Sequence, residues 1–342
     1  MADQMMNAIV FKEIGKFQYE KRPIPRIKND KEILIKIAAA SICGTDVHIL
    51  GNPPGVVANL DIILGHECVG EVVEMGKGVT NYEIGDRLIL DNNLPCGICP
   101  ACQEGQGNLC NHMASMGVHI DGVFAQYAVV PENMTAKISK DIPIEAAIFA
   151  EPLNCVMGGI KKLKIMPGDR VLILGGGPIG LYFTAMMKSC GAGKVLVSEI
   201  SPFRAKYAAA NGADRVINPA KEDLYEEVLK ETKGVGADIV IDAVGVLLPD
   251  AIRTVKSGGS ILLFGMNASA RQEVSQNDIT ARGLTVYGNF IGSNTLRNVA
   301  NLLESKIVDL ESLITHKLPL SRFEEGLAAM GKGEAMEVVL YP

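Results

Sequence analysis

The stretch GDRVLILGGGPIGLYFTAMMKSCGAGKVLVSEIS, residues 168–201, sets the architecture of the second half of this chain. Its apolar run VLIL predicts a buried strand, because short apolar runs next to turn residues are typical of parallel sheets. Glycines follow, then an apolar stretch of helical length, and then a second short apolar run. The sequence therefore predicts a strand, a tight turn, a helix and a second strand, which is the opening of a βαβ unit.

The glycines of this stretch form the pattern G-x-G-x-x-G, made by Gly175, Gly177 and Gly180. The first glycine allows a tight turn, the second lets a pyrophosphate approach the backbone, and the third lets the helix pack on the strand. Pro178 and Ile179 lie within the pattern and open the helix. Since a helix follows the strand directly, we expect these residues to bind a dinucleotide.

An acidic residue, Glu199, lies 19 positions beyond Gly180, at the end of the second predicted strand. A carboxylate there accepts hydrogen bonds from the adenosine ribose and repels a 2′-phosphate, which favours NAD over NADP. Arg204 follows closely and slightly weakens this preference. The alternative interpretation of Glu199 is a solvated carboxylate at a strand end.

Strand and helix patterns continue to alternate through RVIN (215–218), a charged helix at 221–233, ADIVIDAVG (237–245), a helix before KSGGS and SILLFG (260–265). This alternation predicts an α/β domain with a doubly wound parallel sheet that holds its ligand at the carboxyl ends of the strands. A last strand, LTVYGNF (284–290), precedes helices near 295–306 and 321–331 and a final strand, EVVLYP.

The first part of the chain has a different pattern, in which short strands alternate with Gly and Pro. The predicted strands include KEILIKIAAA (31–40), ECVGEVVEMG (67–76), GDRLILD (85–91) and GVFAQYAVVP (122–131). Many short strands at close spacing predict a compact β-rich domain or partial barrel.

Between residues 41 and 67 the β-rich part carries a thiol, an imidazole and a carboxylate, those of Cys43, His66 and Glu67. This combination of ligands suits zinc, and a catalytic zinc keeps one position open for water or substrate. Cys43 follows one predicted strand and His66 precedes another. We expect the three side chains to converge on a metal ion.

A second candidate metal site lies in residues 95–111, with cysteines at spacings of two, two and seven intervening residues. Four thiolates can close a tetrahedral shell around a structural zinc and leave no position for substrate. An iron–sulfur cluster is the rival, but the bacterial ferredoxin spacing and its following proline are absent. A nucleic-acid-binding zinc ribbon is weaker still, because the lobe has no Lys or Arg. The four residues are Cys96, Cys99, Cys102 and Cys110.

Composition excludes several classes of protein. With 342 residues, 48% of them hydrophobic, the chain is expected to form two domains. A net charge of −6 without a basic run argues against nucleic-acid binding. The start, MADQMMNAIVFKEIG, lacks an export signal and no 18 apolar residues run unbroken, so we expect a cytoplasmic protein without membrane contact. The eight cysteines are then expected to be reduced or to bind metal.

These motifs, in this order, resemble the zinc-dependent medium-chain dehydrogenases and reductases, and the resemblance covers nearly the whole chain. It depends on CGTDVH (43–48), GHE (65–67), the four-cysteine lobe, GVFAQY, AEPL (150–153) and GGGPIG. The family implies a GroES-like catalytic domain at 1–153, a Rossmann coenzyme domain at 154–288, and a return to the catalytic domain at 289–342. It also implies an active site in the cleft between the domains, and a homodimer or homotetramer.

The resemblance assigns Cys43, His66 and Glu67 to a catalytic zinc. It makes Glu151 either the fourth ligand or a group that exchanges with water, so each subunit would hold two zinc ions. Two simpler interpretations remain: Glu67 is a structural carboxylate behind His66, and Glu151 merely begins a helix. We also expect Asp46 to hold the remote nitrogen of His66, since metal-bound imidazoles usually need such a partner.

The reaction implied is oxidation of an alcohol by hydride transfer to the nicotinamide. Thr45 would take the hydroxyl proton, which passes through the coenzyme ribose to His48 and then to solvent. A surface histidine without a role is the alternative interpretation of His48. The other cysteines and histidines lack a ligand pattern and are expected to be packing or surface residues.

The substrate is less well defined. The chain resembles the polyol and threonine dehydrogenase branch, but Ile291 stands where sorbitol dehydrogenases carry an Arg. We prefer a secondary alcohol on a polyol or cyclitol, with L-threonine or a sugar phosphate as alternatives. A zinc-free reductase and a non-catalytic nucleotide-binding protein are the other classes, and intact metal ligands count against both.

Overall fold

The structure is a computed structural model that describes residues 4–342. The chain forms two compact units. One runs to Asn154 and includes Gly292–Lys306 and Glu311–Pro342, and the other comprises Cys155–Ile291 and Ile307–Leu310. Residues 1–3, the first three of the stretch MADQMMNAIVFKEIG on which the expectation about an export signal depends, lie outside the described residues.

The strands, in chain order, are β1 (Met5–Glu13), β2 (Lys16–Pro23), β3 (Glu32–Ser41), β4 (Glu67–Met75), β5 (Arg87–Leu90), β6 (Asn93–Leu94), β7 (Ala114–Ser115), β8 (Tyr127–Pro131), β9 (Thr135–Ile138), β10 (Arg170–Leu174), β11 (Lys194–Ser198), β12 (Arg215–Ile217), β13 (Ala237–Asp242), β14 (Val255–Leu263), β15 (Thr285–Gly288), β16 (Ile314–Pro319) and β17 (Glu337–Tyr341).

The α-helices are α1 (Gly44–Ile49), α2 (Pro100–Gln103), α3 (Ile144–Ala147), α4 (Ala150–Ile160), α5 (Pro178–Ser189), α6 (Pro202–Ala210), α7 (Leu224–Glu231), α8 (Leu248–Thr254), α9 (Gln276–Ala281), α10 (Leu296–Ser305) and α11 (Phe323–Gly331). None of the helices in the described range 4–342 is both long and apolar enough to span a membrane.

The first unit is built around a sheet with the strand order β16-β17-β3-β4-β5-β9, and β8 also pairs with β3. β3 is central because both of its faces are apolar, and Ile33, Leu34 and Ile35 are almost completely buried. Antiparallel pairing with β4 sets Ser41 opposite Glu67. The predicted β-rich domain is confirmed, and its central strands end where the candidate metal ligands begin.

The second unit contains a parallel sheet with the order β12-β11-β10-β13-β14-β15. Counted from β10, this is the order 3-2-1-4-5-6 of a doubly wound dinucleotide-binding sheet. The helix after β10 buries Leu181, Phe183 and Met187. The Rossmann prediction is therefore confirmed, and its ligand crevice is expected where the strand order reverses, beside β10 and β13.

Some predicted elements differ from the structure. In GVFAQYAVVP only Tyr127–Pro131 is a strand. Phe124 is fully buried, and its carbonyl accepts a hydrogen bond from the N–H of Ile9. This part of the segment therefore fills the core without forming a regular strand. KSGGS, which separates the predicted helix from the predicted strand SILLFG, lies inside β14 as an irregularity: Val255 pairs with Ala237, and Ser260 pairs with Ile239. The polar strand β16 and the short helix α9 were not predicted, because neither has a clear apolar period.

Candidate metal and coenzyme sites

The first candidate site is formed by Cys43, His66 and Glu67 in the first unit. Their sulfur, ring nitrogen and carboxylate oxygen all lie within 4.8 Å of one another. β3 ends and β4 begins at the paired residues Ser41 and Glu67, and Cys43 caps the N-terminus of α1 just beyond β3. Strand pairing therefore brings together ligands that are far apart in the sequence.

The site is buried and strongly acidic. Burial raises the pKa of the Cys43 thiol to about 12, and the charges of Asp46 and Glu151 raise it further. Burial likewise raises the pKa of Glu67 well above its usual range. The pKa of His66 is also raised, because the surrounding carboxylates outweigh the opposing effect of burial. Without a metal ion, the thiol stays protonated at neutral pH.

Asp46 is completely buried next to His66. One of its oxygens, Oδ2, accepts a hydrogen bond of 2.9 Å from the N–H of Cys43. The other, Oδ1, lies 3.8 Å from Nδ1 of His66, which is too far for a hydrogen bond. The sequence predicts that Asp46 holds the remote nitrogen of His66, and the structure brings the two groups close without a hydrogen bond. Neither Oδ1 of Asp46 nor Nδ1 of His66 has a hydrogen-bond partner among the described residues.

This environment fits a divalent cation. Carboxylates buried together are costly unless a positive charge compensates them. Among the main causes that shift the pKa of Glu67, only the charge of His66 lowers the pKa and so favours the charged carboxylate. An imidazole that bound a cation through Nε2 would donate more strongly from Nδ1 to Asp46. A thiolate, an imidazole and a carboxylate are a donor set that zinc accepts.

Glu151 lies at the edge of this site. It is 7% exposed, in the first turn of α4, and its negative charge raises the pKa of both Cys43 and His66. It is not among the three residues whose ligand atoms lie within 4.8 Å of one another. Its role as a fourth ligand stays a prediction.

Sequence reasoning missed a polar network that anchors α4 near Glu151. The side-chain amide of Asn154 donates a hydrogen bond of 2.9 Å to Asp91, and Thr295 donates one of 2.6 Å to the amide oxygen. Asn154 is 1% exposed and Thr295 is fully buried. The available signal was an asparagine among apolar residues in the helical stretch PLNCV, 152–156.

The two candidate proton-transfer residues lie on α1. Thr45 Oγ1 is 3.7 Å from the sulfur of Cys43, so the structure places it at the metal site. His48 is exposed one helical turn later, which brings it to solvent. Their roles stay predictions.

The four-cysteine lobe forms the second candidate metal site. The ligand atoms of all four cysteines lie within 4.8 Å of one another. The sulfur of Cys99 is 3.5 Å from that of Cys102 and 3.8 Å from that of Cys110. A zinc tetrahedron with Zn–S bonds of about 2.3 Å has edges of about 3.8 Å, so this spacing fits zinc, whereas a disulfide is far shorter.

Backbone amides also prepare the lobe for thiolates. The N–H groups of Cys96 and His112 donate hydrogen bonds of 3.3 Å to the sulfur of Cys110. Amides of Cys102 and Asn111 lower the pKa of Cys99 to about 6. Hydrogen bonds to a sulfur favour its charged form. Amides of Ile98 and Cys99 likewise lower the pKa of Cys96, whereas burial raises the pKa of Cys102 to about 12, so the lobe favours thiolates at Cys96 and Cys99.

The glycine turn of the second unit has the conformation that a dinucleotide site requires. Gly175 has a φ of 100°, a backbone conformation that favours glycine. A Cβ on Gly180 would collide with the carbonyl oxygen of Gly175. Gly177 caps α5, which begins at Pro178. The atom nearest to a Cβ placed on Gly177 is Nη1 of Arg204, at 3.8 Å, so the space beside the helix terminus is open to a phosphate.

Glu199 lies directly after β11 and is 6% exposed. Its carboxylate accepts hydrogen bonds from the N–H of Gly176 at 2.8 Å and from the N–H of Ser201 at 2.7 Å. Each oxygen keeps capacity for a further bond. Glu199 is thus part of the glycine turn and not a solvated strand-end residue, and the guanidinium of Arg204 lies on the same side of the turn as Gly177.

A cavity of about 280 Å³ lies in the second unit beside this turn. Its lining combines apolar, acidic and basic side chains, those of Ser198, Pro219, Glu222, Asp223, Leu224, Leu247, Asp250 and Arg253. It adjoins the carboxyl end of β11, where a doubly wound sheet binds the adenosine half of a dinucleotide. The residues present therefore fit NAD or NADP.

Two family models match this chain. Residues 29–140 match the family model of the alcohol dehydrogenase GroES-like domain, and residues 178–305 match that of the zinc-binding dehydrogenases.

Individual relatives extend over nearly the whole chain. The chain is 36% identical to L-threonine 3-dehydrogenase of Caldanaerobacter subterraneus, with 94% of each covered, and 32% identical to sorbitol dehydrogenase of Bacillus subtilis, with 99% of this chain and 98% of the relative covered. Among solved structures, a protein of Sinorhizobium meliloti bound to NADP has a TM-score of 0.94 at 30% identity, covering 99% of this chain and 100% of its own.

Proposed function

The chain belongs to the zinc-dependent medium-chain dehydrogenase/reductase family, and on that basis we propose that it is an NAD-linked enzyme that interconverts a secondary alcohol and its ketone. The observation that carries the proposal is the convergence of Cys43, His66 and Glu67 within 4.8 Å in an acidic, buried site. A polyol or cyclitol is the preferred substrate class. The four-cysteine lobe would hold a second zinc with a structural role.

Cys43, His66 and Glu67 would hold the catalytic zinc, and Glu151 would be a fourth ligand or a group that exchanges with water. A zinc ion at such a site lowers the pKa of an alcohol hydroxyl, so that it ionises near neutral pH. Asp46, with Oδ1 at 3.8 Å from Nδ1 of His66, would orient the ring once the imidazole binds the metal ion. Asp46, His66 and Glu67 are buried and Cys43 is half-buried, and this low exposure strengthens each charge interaction.

Thr45 would receive the hydroxyl proton at Oγ1, beside the sulfur of Cys43. His48, exposed at the last turn of α1, would pass the proton to solvent. Loss of the proton leaves the electron pair that expels a hydride from the carbinol carbon. Bound NAD would supply the hydride acceptor, which is chemistry of the coenzyme and not of the protein.

The glycine turn and Glu199 would bind the coenzyme. The N-terminus of α5 offers its amide groups to the pyrophosphate. Glu199 has unused acceptor capacity for a ribose hydroxyl, which supports NAD. Arg204 and the NADP-bound relative support a measurable use of NADP as well.

L-threonine is the second candidate substrate, because a threonine dehydrogenase is 36% identical over 94% of the chain. Its oxidation is the same conversion of a secondary alcohol to a ketone. The substrate would then need a site for its ammonium and carboxylate groups as well as for the hydroxyl.

The test is a screen of NAD reduction with the zinc-loaded protein over polyols, cyclitols, sugar phosphates and β-hydroxy amino acids. We expect turnover with at least one secondary alcohol, its loss in Cys43→Ala, and its retention in Cys190→Ala, which removes a thiol of the other unit outside both candidate metal sites. Turnover that survives Cys43→Ala would exclude this catalytic site. Highest kcat/KM with L-threonine would favour the second candidate.

A further inference from the structure

One buried acid beside the candidate catalytic site has no role in the proposed reaction. Glu337 is 3% exposed, in the otherwise apolar strand β17. β17 pairs with β3 so that Val339 lies opposite Ser41, and β3 pairs with β4 so that Ser41 lies opposite Glu67. Paired residues, and residues two positions apart, project from the same face of a sheet. Glu337 therefore shares its face with Ser41 and Glu67.

The position of Glu67 on this face is well defined. The Ser41 hydroxyl donates a short hydrogen bond to Oε2 of Glu67. The N–H of Ile42 donates a bond of 3.0 Å to the carbonyl of Val338, which fixes β17 at the same level. Glu67 is thus anchored by a hydroxyl on β3, and the carboxylate of Glu337 projects from the same face of the sheet on β17.

The two carboxylates interact electrostatically. Apart from burial and the Cys43 charge, the charge of Glu337 does most to raise the pKa of Glu67, more than Glu151 does. Like charges in a buried setting repel strongly. A charged carboxylate in this position is destabilised when it turns back toward β17 and stabilised when it contacts a cation on its other side.

We infer that Glu337 is a positioning residue, which keeps Glu67 directed toward the metal ion and raises the affinity of the Cys43–His66–Glu67 site for it. The inference rests on the proposed function only in assigning a zinc ion to these three residues. Glu337 acts through Glu67 and is not a catalytic residue. A neutral amide at position 337 would donate a hydrogen bond to Glu67 and hold it away from the metal.

The experiment uses Glu337→Gln in the full-length, zinc-loaded protein, with Zn²⁺ withdrawn by increasing concentrations of a chelator and zinc counted per chain. Replacement of groups that orient metal ligands commonly weakens metal binding about 10- to 100-fold, and we expect a loss in this range at the Cys43 site. The zinc of the four-cysteine lobe should be unchanged and serves as an internal control.

The matched control is Glu145→Gln. This carboxylate also contacts β17, through a hydrogen bond of 3.0 Å from the Tyr341 hydroxyl, but at the far end of the strand. We expect wild-type zinc affinity. If Glu337→Gln folds poorly, Glu337→Met removes the charge without burying a new polar group, and the same loss of zinc affinity is expected.

A double-mutant cycle separates positioning from a general structural effect. In a Glu67→Gln background, Glu337→Gln should change zinc affinity less than about threefold, because the Glu67 carboxylate on which Glu337 acts is no longer present. Cobalt substituted at the Cys43 site should show an altered absorption spectrum in Glu337→Gln but not in Glu145→Gln.

Wild-type affinity in both position-337 variants, or an equal loss with and without Glu67, would overturn the inference. A wild-type protein that holds zinc only in the lobe would instead refute the proposed function, so the two failures are distinguishable.

Discussion

Replacing Glu199 with serine should shift coenzyme preference from NAD toward NADP. In the structure both carboxylate oxygens of Glu199 accept backbone hydrogen bonds, from Gly176 and Ser201. Serine would remove the negative charge and free these two N–H groups. Together with the guanidinium of Arg204, they would face the position of a 2′-phosphate.

Two effects contribute to the expected magnitude. Loss of hydrogen bonds from the ribose to a charged carboxylate weakens NADH binding by about 1.5–3 kcal/mol. Repulsion between Glu199 and one phosphate charge about 4 Å away is about 1–4 kcal/mol, depending on the effective dielectric, and this also disappears. The combined shift of about 2.5–7 kcal/mol changes the ratio of the two affinities by about fiftyfold or more.

Fluorescence titration with NADH and NADPH measures this ratio without knowledge of the substrate. Arg204→Ala provides the control: alone it should affect NADH binding little, whereas in the Glu199→Ser background it should reduce the gained NADPH affinity. A ratio of dissociation constants that stays within about threefold of wild type would refute the ribose contact that we assign to Glu199.

Three further predictions concern stability and metal binding. Asp238→Asn should cost about 1–3 kcal/mol of unfolding free energy at pH 7, because Arg170 and Lys256 hold the pKa of this carboxylate below its usual value against the effect of burial. Urea titrations should show the full difference above about pH 4 and a shrinking one at lower pH, where both the folded and the unfolded protein become protonated. Zinc binding at the Cys43 site should release protons, since the pKa of that thiol is about 12 in the metal-free protein; the affinity should rise about tenfold per pH unit for each proton, and a pH-independent affinity in chelator competition would contradict this. Asn154→Ala should cost about 1–3 kcal/mol because it removes two buried hydrogen bonds, one from Thr295 and one to Asp91, and an unchanged urea midpoint would contradict this.

The Rossmann sheet was predictable because its signals are local. A single stretch holds the apolar strand β10, the glycine turn and the apolar helix, and each glycine has a distinct steric reason. The irregularity inside β14 was not predictable, because Gly258 and its neighbours have turn composition. Only pairing with β13 shows that the chain continues as a strand.

The metal site was predictable as a set of ligands but not as an environment. Cys43, His66 and Glu67 are residue types that coordinate zinc, and they occur in short motifs. The proximity of Glu337 depends on β17 lying beside β3, a long-range pairing with no sequence period. Its only local signal was a charged residue in the apolar run AMEVVLY, which indicates a polar function when the strand is central.

The approach of Asp46 to His66 was predicted in kind but not in distance. The rule that metal-bound imidazoles need a partner identified the residue. The separation of 3.8 Å is set by the first turn of α1, where the other oxygen of Asp46 bonds to the N–H of Cys43. Sequence spacing defines the helix but not the rotamer of its side chains.

The most direct test of the central claim is a zinc count on purified protein and two variants. If Cys43, His66 and Glu67 hold a catalytic zinc, the wild-type protein carries one zinc in each of the two sites, Cys43→Ala loses the first, and Cys96→Ala loses the second. A Cys43→Ala protein that retains the wild-type zinc content, while Cys96→Ala loses zinc, would contradict the assignment.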